Sequence, residues 1–311
     1  MSIVFSNTPS RRLLDFLVRL GPVKIPTRNA TNVVIVPDGL QHTKFTARRV
    51  GRATYVLCSR DAFKYIRERC QILIRRQTIH PNLTSYVAHL LRLRVLQELE
   101  LLAEQLEHSS RTSKTCDNQQ RILRRLTRHE WKQIKETGVV PFSDAVAILV
   151  VPPLNKNPAT QKTPEASMSD SPFLDDTEAR KPLPPLSLLY PTQHPPTAGN
   201  LPDLLSTYQV PLYNGLALFP NKHQRATLHI LLLRILAIER RLYQSAIEVE
   251  GERKGRAHGD AKHGHAFLLS SNSNLTRRGD VSTVAIALWR IRMYEGGGME
   301  DDGSWTRSVV G

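Results

Sequence analysis

From Leu228 to Ile238 only His229 and Arg234 interrupt a run of apolar side chains. At helical spacing these positions cover most of the circumference, the pattern of a helix enclosed by neighbours on several sides. Pro220 stops whatever precedes it, and Asn221, Lys222, His223 and Gln224 supply a polar start, so a central core helix is expected over 221–248. A membrane span needs about 20 apolar residues, and Arg234 sits in mid-run, so no transmembrane segment is expected.

Other stretches carry the same period. Phe63, Ile66, Cys70 and Leu73 lie on one face of a helix opened by Ser59 or Asp61 and running to about Gln77. Leu83, Val87, Leu91, Val95, Leu99, Leu102 and Leu106 form the spine of another over 83–107. Its C-terminal half carries Glu98, Glu100, Glu104 and Glu107, which suit the helix dipole poorly and are candidates to meet arginines elsewhere in the fold. Thr127 and Glu130 have capping-box spacing for a short helix ended by Gly138, and Asp280 is a candidate N-cap for a last helix ended at Gly296. At the start, Leu13, Phe16, Leu17 and Leu20 would share one side of a short amphipathic helix over 10–20.

Strand patterns are fewer. Residues 32–36, ended by the Pro37-Asp38-Gly39 turn signal, and residues 52–59 read as strands. The apolar runs 144–151 and 265–271 read as the most buried ones, and 210–220 as strand-like sequence around the Asn214-Gly215 turn signal, leading into the core helix. Between them, 12 of the 20 prolines fall within 152–202 and no period survives, although Leu183–Leu189 is a candidate docked arm. The fold class expected is therefore α+β: a helix-rich single domain with a small sheet, interrupted by a proline-rich disordered insertion. Its parts are 1–28, 29–151, the insertion 152–209, 210–295 with the core helix, and a flexible tail 296–311.

Charge changes the picture. The 311 residues hold 43 Lys and Arg against 28 Asp and Glu, a formal +15 that favours a polyanionic partner. Residues 1–151 carry 25 of those cations and only 12 acids, so the excess belongs to the front half. It concentrates at Lys44, Arg48, Arg49, Arg52, Arg60, Lys64, Arg67, Arg69, Arg75 and Arg76, with Phe45, Tyr55 and Tyr65 placed to stack on bases if exposed. Arginine grips phosphate with two parallel hydrogen bonds, and clustered cations on a fixed surface are what phosphate binding requires. No zinc-finger spacing, bZIP heptad or RNP signature points to DNA reading, so RNA or a ribonucleoprotein is the expected partner. The rival use of the same arginines is internal, against the acids of 98–107.

Little else carries chemistry. Neither phosphate-binding glycine motif nor a nucleophile elbow occurs, so a non-enzymatic protein without a cofactor is expected. Asp144 with Asp203 or Glu130 forms a carboxylate pair only on paper. His258, His263 and His265 lack a convincing fourth ligand, and Cys58, Cys70 and Cys116 are too scattered for zinc or a disulfide framework, so no metal is expected. Trp289, with Arg290 and Arg292, is a candidate protein contact. Residues 1–28 have Arg11, Arg12, Arg19, Lys24 and Arg28 against one acid, Asp15, the composition of a mitochondrial transit peptide. The expectation is an accessory factor in mitochondrial gene expression or ribosome assembly in the matrix, with a nuclear site as the alternative. A scaffold for an acidic protein or an anionic membrane surface is the rival of another class.

Overall fold

The structure, a computed structural model, describes residues 4–5, 15–27, 30–51, 53–69, 78–112, 120–156, 161–169, 183–192, 208–249, 263–276 and 278–296. The chain is α+β, as the patterns predict, and its strands form two five-stranded sheets among the described residues. Its contacts group into two compact units. Unit one is Met1–Glu98, Ser169–Leu174 and Ile286–Gly311; unit two is Leu99–Met168 and Asp175–Ala285.

In unit one the sheet order is β1-β4-β2-β3-β5, formed by Val4–Phe5, Thr54–Leu57, Leu17–Thr27, Ala30–Asp38 and Thr78–Ile79 respectively. β2 and β3 make a long antiparallel hairpin, from Arg19 opposite Asp38 to Thr27 opposite Ala30. The helix expected over 10–20 is not what its second half forms. Leu17, Val18, Arg19 and Leu20 are all buried, so both faces of the segment are covered and its periodicity says little. Gly21, Pro22 and Pro26 then rule out helix. Helix α1, Arg60–Arg69, lays Ala62, Phe63 and Ile66 into the core. The extension of that helix toward Gln77 lies outside the described residues. The first half of α2, Leu83–Thr112, completes the unit with the end of α7, Val281–Tyr294. Tyr294 packs edge-on against Phe63 at 5.8 Å and donates its hydroxyl to the Thr84 carbonyl at 2.8 Å. Arg92 and Arg60 both pair with Glu295, at 2.8 and 3.2 Å.

In unit two the order is β6-β10-β7-β9-β8, formed by Leu123–Thr127, His263–Ser270, Ala145–Val150, Gln209–Asn214 and Ser187–Pro191. The two runs expected to be most buried, β7 and β10, are paired neighbours inside this sheet. The capping box forms as its spacing predicts: Thr127 caps α3, Arg128–Thr137, and Gly138 ends it in the left-handed conformation. Two expectations are corrected. Asn214-Gly215 is no hairpin turn; Asn214 caps the short helix α4, Gly215–Leu218. Glycine is required there because a Cβ would lie 2.8 Å from the Val150 carbonyl oxygen. The proline-rich insertion contains a sheet strand, β8, which pairs antiparallel with β9, close to the arm expected at 183–189.

The core helix is α5, Lys222–Val249. Leu228, Leu231, Leu232, Ile235, Leu236 and Ile238 are buried, but Ile230 is 57% exposed and Leu233 49%, so one side faces water. Arg234, which interrupts the run, makes two hydrogen bonds of 2.9 Å to the Glu107 carboxylate. Other side chains of α5 hold the start of the insertion: His229 donates to the Pro152 carbonyl, His223 to that of Glu165 and Thr227 to that of Ser167. The small helix α6 is Ser273–Thr276.

Gly215→Ala is expected to cost about 1–3 kcal/mol, the range for forced overpacking, measurable as a lowered urea midpoint. Burial holds the His229 ring below its ordinary 6.5. The native state therefore refuses a proton that the unfolded chain accepts. Its contribution is whole above pH 6.5 and lost as pH falls. His229→Gln is expected to flatten the decline of the unfolding midpoint between about pH 7 and 5.

Candidate nucleic-acid interface

Among the described residues, the cations singled out from the sequence fall on two elements of unit one, the β3–β4 connection 39–51 and helix α1. The connection holds Lys44, Arg48 and Arg49 and no acid. All three cations are exposed. What sets it apart is how its backbone is held. Asp38 ends β3, Arg19 lies opposite on β2, and their side chains form an ion pair with 5% and 9% exposure. Each spends remaining hydrogen-bonding capacity on the connection. Arg19 Nη2 donates to the Gly51 carbonyl at 3.0 Å, and Asp38 Oδ1 accepts from the Arg49 backbone N–H at 3.3 Å. The pair thus grips the connection on its return side.

A second anchor comes from α2. Gln97, buried, accepts the His42 N–H on Oε1 at 2.9 Å and donates from Nε2 to Gln41 Oε1 at 2.9 Å. Gln41 Oε1 also accepts the Thr46 hydroxyl at 2.9 Å. Between these anchors the chain makes a tight turn in which the N–H groups of Phe45 and Thr46 both donate to the His42 carbonyl. Gly39 opens the connection at φ +67°, the left-handed region that glycine enters without strain. Arg48 donates to the Tyr55 hydroxyl at 3.0 Å, which directs its guanidinium without neutralising it.

Helix α1 offers less. Arg60, Lys64 and Arg67 share one edge, at i, i+4 and i+7, and all are exposed. Asp61 and Glu68 occupy the adjacent strip, with Tyr65 beyond them. Arg60 pairs with Glu295 and Lys64 with Asp61, both at 3.2 Å, while Arg67 has no carboxylate partner among the described residues. The exposed Lys64–Asp61 pair is worth about 0–1 kcal/mol, whereas Glu295 is largely covered and shared between Arg60 and Arg92. Arg52, Arg75 and Arg76, also singled out, lie outside the described residues. Among the three aromatic candidates, Phe45 and Tyr65 are exposed at 39% and 42%, whereas Tyr55 is buried.

Two acids of α2 find partners away from these cations: Glu98 pairs with Arg94 and Glu107 with Arg234. The hydrogen bonds from Arg234 hold the Glu107 carboxyl below its usual range. Arg19, Asp38, Gln41 and Gln97, which build the site, were not singled out from the sequence. Asp38 reads there as a turn residue and Arg19 as part of a leader.

Glu130 is taken up by the capping box and Arg124, and Asp203 and His258 are not among the described residues. Asp144 accepts from Gln120 and Asn272 at the edge of a cavity of about 460 Å³ in unit two. No group of three or more His, Cys, Asp or Glu suited to a metal occurs among the described residues, and none of the described helices is long and apolar enough to cross a membrane. Arg290 donates to the Leu17 carbonyl and Arg292 is buried with its guanidinium 5.4 Å from the Trp289 ring, leaving Trp289 partly exposed. No family model, curated protein or solved structure matches this chain.

Asp38→Ala strands a buried guanidinium and is expected to cost about 3–5 kcal/mol, seen in urea unfolding. The paired replacement Arg19→Met with Asp38→Leu is expected to be near neutral in stability. Asp38→Ala loses the hold on the Arg49 N–H, and the double variant loses the hold on Gly51 as well, so limited trypsin digestion should cut after Lys44, Arg48 or Arg49 faster in both than in the parent.

Proposed function

We propose that the chain binds RNA, free or within a ribonucleoprotein, through the connection 39–51, with the Arg60–Lys64–Arg67 edge of α1 as a secondary contact. One observation carries the reading: three exposed cations stand on an acid-free connection whose backbone is fixed by the buried Arg19–Asp38 pair and by Gln97. A fixed array loses little conformational entropy when phosphates dock, and so converts more of the charge attraction into affinity. The function that fits is an accessory, non-catalytic role in mitochondrial gene expression or ribosome assembly, with a nuclear location as the alternative. Because Leu17–Thr27 is an internal strand, import would have to leave it in place during any processing of the N-terminus.

The test is RNA retention against salt. With single-stranded RNA each phosphate contact contributes about −0.7 to the slope of log K on log salt, so three to four contacts should give about −2 to −3. Lys44→Glu with Arg49→Glu is expected to weaken retention at least tenfold and to shallow the slope by about 1.4, while Arg60→Glu changes it far less. Retention that ignores the double variant ends this reading. Salt-dependent capture by anionic vesicles or a polyglutamate peptide, without RNA binding, would assign the surface to the scaffold role.

A further inference from the structure

The turn that presents Lys44 also presents a ring. Phe45 stands at the apex of the 42–46 turn, 39% exposed, on a segment whose flanks are tied to Gln97 and Gln41. The ring is not among the buried core residues of unit one. His42 braces it from the side: the two ring centroids are 6.4 Å apart with planes at 77°, an edge contact that fixes the phenyl group. The Lys44 ammonium lies 5.9 Å from the ring centroid, close enough to meet the phosphate of a base stacked there. Arg48 and Arg49 follow on the same connection, and Val50, fully exposed, adds apolar surface. A braced aromatic ring with cations close along the chain is how sequence-tolerant proteins hold unpaired strands: bases stack on the ring while the phosphates run along the charges. A duplex has its bases already stacked on one another and offers such a ring nothing but a backbone.

On the reading above that 39–51 binds RNA, we infer that its ligand is unpaired RNA, with one base stacked on Phe45. Tyr65 is not part of the platform, since Asp61 and Glu68 lie between it and the cationic edge of α1.

Fluorescence anisotropy on the full chain, with a labelled 12-nucleotide oligouridine and a 12-base-pair RNA duplex at one salt concentration, tests this. The single strand is expected to bind at least fivefold more tightly than the duplex. Phe45→Leu, at a partly exposed position, should weaken the single strand about fivefold to 150-fold, the range for losing one stacked base, and leave duplex binding unchanged. Phe45→Trp should restore the affinity and show fluorescence quenching on adding oligouridine, which a merely structural residue would not. Equal affinity for both forms, or an indifferent Phe45→Leu, overturns the inference while the charge-reversal result stands by itself. If the parent retains neither RNA, both readings fall together.

Discussion

A buried ion pair, Arg19 with Asp38, is what the candidate site depends on. Taking two charges out of water carries a penalty of several kcal/mol for each. Mutual attraction alone seldom offsets it, and an apolar pair of the same size would serve stability as well. The extra hydrogen bonds to Gly51 and Arg49 explain why polar groups stand here. They bind the β2–β3 hairpin to the connection that follows it. Without them 39–51 would be a surface loop with several conformations, and its cations would average into a diffuse charge. With them, charge becomes a shape.

The same logic separates the two basic elements. On α1 the cations stand beside acids of their own helix or of Glu295, and most of their field is cancelled locally. On 39–51 the nearby carboxylate, Asp38, is already committed to Arg19. The front half of the chain is therefore basic in two different senses. One part is a solvated helix edge with charges of both signs, the other an acid-free connection on a held backbone. Net charge counted along the sequence does not distinguish them.

Much of the fold was legible because it rests on periods and local signals. The stripe of Phe63 and Ile66, the Thr127–Glu130 box and the apolar runs of β7 and β10 each name their own partners within a few residues or by composition. What was not legible depends on neighbours distant in sequence. Leu17–Leu20 is covered on both faces, so its residues carry no period that would mark a strand. Gly215 looks like a turn residue until the Val150 carbonyl is seen beneath it. The cations of the site were visible as a cluster, but the clamp was not. Gln41 and Gln97 are 56 positions apart, and nothing in either residue announces the other.

Unit one is discontinuous along the chain, and this shapes how it can be made. Its sheet and first helices come from the first 98 residues, but Tyr294 and Glu295, which close over Phe63, Arg60 and Arg92, are among the last described. Arg92 and Glu295 are 203 positions apart. On a ribosome adding about 5–20 residues each second, the early sheet must wait many seconds for its lid with apolar surface uncovered. A truncation that removes the last helix and Glu295 would leave Phe63, Arg60 and Arg92 without those partners.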